Sequence, residues 1–93
     1  MFKEIFGKCI GVRILEPFLK EENRDKWLNL REVSRQSKLN SGTVSRSIDE
    51  LVKNRMILEE KPSRWVRIFK LNKKNEKVQI LIEFYDKILD TGK

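Results

Sequence analysis

The sequence predicts a mainly α-helical α+β domain with a three-helix core, a small β-hairpin and a long C-terminal helix. Apolar residues recur at helical spacing through the first twenty residues, across 29–53 and again across 73–91. Between Met56 and Leu71 that period gives way to two β-rich runs around a Pro-marked turn. Asn29 and Asn40 stand where helices would begin.

At 93 residues the chain makes a single domain, 1–93, since chains divide only above roughly 250 residues. With 39% hydrophobic residues, two Trp, one Tyr and five Phe, it has the material for a packed core. There is no histidine and a single cysteine, Cys9, which excludes imidazole-based triads and Cys/His zinc sites. No Gly-rich phosphate loop appears. No catalytic residue, metal ligand or cofactor is therefore expected, and the chain is read as a non-enzyme. No apolar run approaches the roughly 20 residues that cross a bilayer, and Met1–Lys8 lacks a signal-type cleavage site, so a cytoplasmic location without a membrane partner is expected.

The N-terminal helix occupies 1–20. Phe2, Ile5 and Phe6 form a lead-in broken at Gly7, and a helix from Lys8 to Lys20 should kink or end near Pro17. On this apolar helix Cys9 reads as a buried, inert thiol. Lys20–Lys26 is continuously polar and suits a surface connection, and Trp27-Leu28 is a stub of strand. Asn29-Leu30-Arg31-Glu32 has capping-box spacing, with Asn29 accepting from the Glu32 amide and the Glu32 carboxylate reaching back. That helix runs to Ser37, the connection Lys38-Leu39 follows, and Asn40 caps a second helix carrying Val44, Ile48, Leu51 and Val52 on one stripe. Residues 29–53 thus form a helix-turn-helix unit. The hairpin covers 56–71, turning at Pro62-Ser63 through a tip of four or five residues because proline cannot supply φ > 0. Both faces of its second strand are mainly apolar, so the inward one stays open. Asn72 is expected to cap the last helix, 73–91.

With the apolar stripe of the second helix inward, Gly42, Thr43, Arg46, Asp49, Glu50 and Lys53 point out, flanked by Ser41, Ser45 and Ser47. The first half of that face is small, hydroxylated and basic, which suits close approach to DNA. Asp49 and Glu50 favour an ordinary solvated face unless they read cytosine or brace Arg46. On the last helix Val78, Leu81, Ile82, Phe84, Tyr85, Ile88 and Leu89 fill about 160° of the wheel, and Ile80 widens the stripe to about 200°, twice the roughly 100° that docking on one core requires. A homodimer through Ile80, Leu81, Phe84, Tyr85 and Ile88, joined by Phe2, Ile5 and Phe6, would cover the excess.

The order helix, stub strand, helix, turn, helix, hairpin, helix resembles the winged helix-turn-helix superfamily, in particular the MarR- and ArsR-type regulators of bacteria and archaea. The resemblance rests on Leu30-Arg31-Glu32-Val33-Ser34, the turn Lys38-Leu39-Asn40, the recognition-helix stretch Thr43-Val44-Ser45-Arg46-Ser47-Ile48-Asp49-Glu50-Leu51, and Phe69-Lys70-Leu71-Asn72-Lys73. One departure is Lys38, where the family often has glycine. The resemblance implies a sequence-specific transcription regulator that binds double-stranded DNA as a homodimer. Its recognition helix would lie in the major groove and its wing on the backbone or in the minor groove. The expected DNA contacts are Arg31, Ser41, Gly42, Thr43, Ser45, Arg46 and Lys53, with Lys61, Ser63, Arg64 and Arg67 on the wing and Arg64 foremost among these. Trp65 is assigned to core or hairpin packing, with stacking on DNA as the alternative. A non-specific architectural DNA binder and a winged-helix protein-interaction module are the competing readings, and no small-molecule ligand is identified. The net charge of +7 is unevenly placed: residues 31–77 hold thirteen Lys or Arg and six Asp or Glu, and the remainder holds eight of each.

Overall fold

Helix α1, Ile10–Leu19, turns Ile14, Leu15, Phe18 and Leu19 into the core. The computed structural model describes residues 10–91, so the expectations placed on Phe2, Ile5, Phe6 and Cys9 lie outside the described residues. The helix does not end at Pro17 but runs two residues past it. Its open C-terminal carbonyls are met by side chains: Asn23 Nδ2 donates to the Pro17 carbonyl at 2.7 Å and Arg24 Nε to that of Leu19 at 2.8 Å. The polar connection is therefore not all surface. Asn23, in the 3-10 turn Glu21–Asn23, is buried and also donates to Gln36 Oε1 at 2.9 Å.

Strand β1 is Leu28–Asn29, one residue later than the stub expected at Trp27-Leu28. Helix α2, Leu30–Ser37, starts at Asn29, whose side chain accepts from the Glu32 amide at 2.8 Å. Only half of the capping box forms, because the Glu32 carboxylate accepts from Arg35 and Gln36 instead. Helix α3, Ser41–Lys53, is capped by Asn40, which accepts from the Thr43 amide at 2.8 Å, and it buries Val44, Ile48 and Leu51.

Both helices of this pair end on a left-handed residue that is not glycine. Lys38 has φ 60° and Arg55 has φ 61°. After α3 the Met56 amide reaches the Leu51 carbonyl and the Arg55 amide that of Val52, both at 3.0 Å, which is a Schellman ending. Lys38 thus adopts the very conformation for which glycine is favoured. Lys38→Gly and Arg55→Gly should each stabilise the fold by about 0.5–1 kcal/mol, read as a higher urea midpoint.

The expected hairpin becomes a three-stranded antiparallel sheet of order β1-β3-β2, with β2 Ile57–Ser63 and β3 Val66–Leu71. Leu28 pairs with Phe69 and Asn29 with Ile68, so β1 closes the far edge of β3. The turn is not at Pro62-Ser63. Ser63 pairs with Val66, the two-residue turn is Arg64-Trp65, and the register slips between Glu60 and Ser63. Pro62 sits in that irregularity on the outer strand, where a missing amide costs no ladder bond. Phe69 and Leu71 are buried, which settles the inward face of β3 as the one carrying Arg67, Phe69 and Leu71.

Helix α4, Glu76–Thr91, begins later than expected, and its cap is Asn75 rather than Asn72. Asn75 Oδ1 accepts from the amides of Lys77 at 2.8 Å and Val78 at 3.2 Å, while Asn72 Nδ2 donates to the Arg55 carbonyl at 2.6 Å and ties the end of α3 to the start of α4. Val78 and Tyr85 enter the core, and Arg24 pairs with Asp86 at 2.6 Å to hold α4 beside the end of α1. Burial pushes the Tyr85 phenol up from its ordinary value.

Candidate nucleic-acid interface

Beyond the core they share, helix α3 and the hairpin are tied together by one side chain at the surface. The inward face of β3 runs out of core after Phe69, and the next position on that face is Arg67. Its Nε donates to Glu59 at 2.6 Å, its Nη2 to Asp49 at 2.5 Å and its Nη1 to Ser45 Oγ at 3.4 Å, and the guanidinium carbon lies 5.0 Å from the Phe69 ring centroid. One cation thus joins both strands of the hairpin to the outward side of α3. The Glu59 carboxylate, followed by Asp49, holds the guanidinium above its ordinary pKa against the opposing effect of burial.

This clamp changes the charge of the surface. Asp49 and Glu59, which would repel a polyanion, share the single positive charge of Arg67, so their repulsion is halved. Asp49 therefore braces Arg67, not Arg46. Among the described residues, Arg31, Arg46, Lys53, Lys61 and Arg64 make no ion pair and are exposed. The uncommitted charge near α3 and the hairpin tip is positive, apart from exposed Glu50 and Glu60.

The N-terminal turn of α3 is open. Asn40 occupies the Thr43 amide through its side chain and the Val44 amide through its carbonyl, leaving the Ser41 and Gly42 amides without an acceptor among the described residues. Ser41 and Gly42 are exposed, and Thr43 and Ser45 are half-buried at the flank. Arg46 lies back along the helix, its Nη1 3.7 Å from where a Cβ at position 42 would stand. Gly42 keeps this end low, so another backbone can approach the free amides.

The other expected contacts are dispersed. Lys61 and Ser63 lie on β2 and Arg64 in its turn. Lys53 closes α3, about 18 Å along the axis from Ser41, and Arg31 sits in the first turn of α2. On α4 Ile80 is 65% exposed, Phe84 is exposed at its margin, Leu81 and Ile88 pack partly against the core, and Tyr85 is inside it. Trp65 does not pack in the core or on the hairpin. It stands 86% exposed at the tip, because the turn falls on Arg64-Trp65 and lifts both residues off the sheet.

The Arg67 junction was not legible in the sequence, where Asp49, Glu59 and Arg67 are separate charges on separate elements. Removing the charge with Arg67→Met should destabilise the fold by about 1.5–3 kcal/mol in urea unfolding, because half-buried Glu59 loses its partner.

No protein-family model matches the chain, and no curated protein matches it. A solved structure does: a protein of Methanosarcina mazei Go1 described as a "possible transcriptional regulator" superposes with a TM-score of 0.61 at 22% identity, over 88% of this chain and 72% of that one. This chain shares the fold of that protein. Among the described residues no group of three or more His, Cys, Asp or Glu could hold a metal ion, and no helix is long and apolar enough to cross a membrane.

Proposed function

We propose that the chain is a sequence-specific, double-stranded-DNA-binding transcription regulator of the winged helix-turn-helix type. Helix α3 enters the major groove, and the hairpin acts as the wing on the backbone or minor groove. The observation that carries this reading is the Arg67 junction. It ties the wing to α3, offsets half the charge of the two carboxylates beside the groove-facing surface, and leaves Arg46, Lys61 and Arg64 uncommitted around an open helix N-terminus. In this reading Ser41, Gly42, Thr43, Ser45 and Arg46 read base edges or grip phosphates, with Arg31 and Lys53 on the flanking backbone. Lys61, Ser63 and Arg64 hold the strand beside the wing. Arg67 acts as a brace, its charge already spent inside the protein.

The reading includes a homodimer built on α4, with Ile80 at its centre, setting two copies of α3 about one helical turn of DNA apart. Anisotropy of a labelled duplex at increasing salt tests the DNA reading, and sedimentation equilibrium of wild type and Ile80→Glu tests the dimer. Binding should weaken about a thousandfold or more between about 50 and 200 mM salt, and Ile80→Glu should sediment as a monomer with weaker DNA binding. A dimer that binds no duplex at low salt would instead make the chain a protein-interaction module.

A further inference from the structure

The hairpin tip carries a feature that phosphate binding leaves unused. Trp65 is 86% exposed, and among the described residues no cation or ring covers it, whereas Trp27 is 38% exposed and has the Lys70 ammonium 5.7 Å from its ring. The tip is also held in shape. Ser63 pairs with Val66, the Trp65 amide donates to Ser63 Oγ at 3.4 Å, and the irregular register around Pro62 adds twist just behind the turn. The backbone that carries the indole is thus ordered before binding, which leaves only its two side-chain torsions to be fixed.

Its surroundings specify what it meets. From Lys61 to Leu71 there is no acidic residue, and Lys61 and Arg64 stand exposed beside the ring without an ion pair among the described residues, while Arg67 is taken up by Glu59 and Asp49. The partner is therefore a polyanion that also offers flat apolar faces, which describes stacked bases. Reach is sufficient: seven residues of β2 span about 23 Å, against roughly 17 Å, half a helical turn, between neighbouring grooves.

We propose that the tip is a wedge: Trp65 enters the minor groove and inserts at a flexible pyrimidine–purine step, TA or CA/TG, while Lys61 and Arg64 hold the flanking phosphates. The bound duplex is thereby kinked. This rests on the DNA-binding reading above and adds a preference that no base-edge contact supplies, because only a readily unstacked step admits the ring at low cost.

The test compares two duplexes, alternating A/T, in which every second step is TA, and a uniform A-tract, which has no such step. In Trp27→Phe the sole indole is Trp65. Its emission should fall at least twofold, and its acrylamide quenching should drop, on the alternating duplex but not on the A-tract at equal occupancy. Independently of position 27, Trp65→Ala should weaken binding to the alternating duplex about tenfold, Trp65→Phe should restore most of it, and A-tract binding should change little. Energy transfer between labelled ends should show the alternating duplex shortened by wild type and not by Trp65→Ala. If both duplexes are bound while Trp65 keeps its emission and accessibility and Trp65→Ala binds equally well, the wedge is overturned and the DNA reading stands. If neither duplex is bound at about 50 mM salt, the DNA reading fails and the wedge with it. A blue shift of Trp65 on phosphatidylglycerol vesicles, with no response to either duplex, would place the tip at a lipid surface and overturn the proposal.

Discussion

Phe69→Ala should cost the fold about 3–5 kcal/mol, most of what holds a domain of this size together. Phe69 is fully buried, pairs with Leu28 on one side and Glu59 on the other, and lies beneath the Arg67 guanidinium. Its removal opens a cavity where the sheet meets the helices, and it also withdraws the apolar floor from the clamp that sets the hairpin against α3. Urea unfolding followed by circular dichroism should show the loss. Among molecules still folded, DNA affinity should fall further than after truncation of an equally buried side chain remote from the clamp, such as Leu19→Ala.

Arg46→Ala should lower affinity for the preferred duplex by about tenfold to a hundredfold while random duplex loses only a few-fold. Arg46 is exposed, has no ion pair among the described residues and lies on the low, open end of α3, so its removal strands no buried partner and should leave stability within about 0.5 kcal/mol of wild type. Lys61→Ala provides the contrast. As a phosphate contact it should weaken all sequences alike and reduce the slope of log K against log salt by about one. Competition titrations against random duplex separate the two patterns.

What could be read from the residues was what local chemistry decides. Asn29 and Asn40 cap α2 and α3 because a short acceptor side chain followed by an apolar stripe has few other uses, and Val44, Ile48 and Leu51 face inward because their spacing leaves no alternative. The features that escaped depend on partners far away in sequence. Pro62 marks a register slip instead of a turn, which only the pairing of β2 with β3 reveals. Asn75 takes the cap expected of Asn72: both side chains donate to the Arg55 carbonyl, but Asn72 Oδ1 accepts from the Lys74 amide in the turn ahead of the helix, and Asn75 Oδ1 meets the first helical amides. Asn23, in a stretch polar enough to pass for a loop, is buried because the end of α1 needs donors. Trp65 follows from the turn: moving it by two residues carries an indole from the sheet to the tip. Arg67 is the instructive case. Its charge suggested a DNA contact, but Asp49 and Glu59 consume it within the fold, so counting cations along the chain overstates what remains for phosphate.

Selection of bound duplexes from a random-sequence pool tests the proposed function most directly. A sequence-specific dimer should enrich one motif of two related half-sites about ten base pairs apart, and Arg46→Ala should erase that enrichment while still retaining DNA at low salt. Retention of the pool without any enriched sequence, equally by wild type and Arg46→Ala, would contradict sequence-specific recognition by α3.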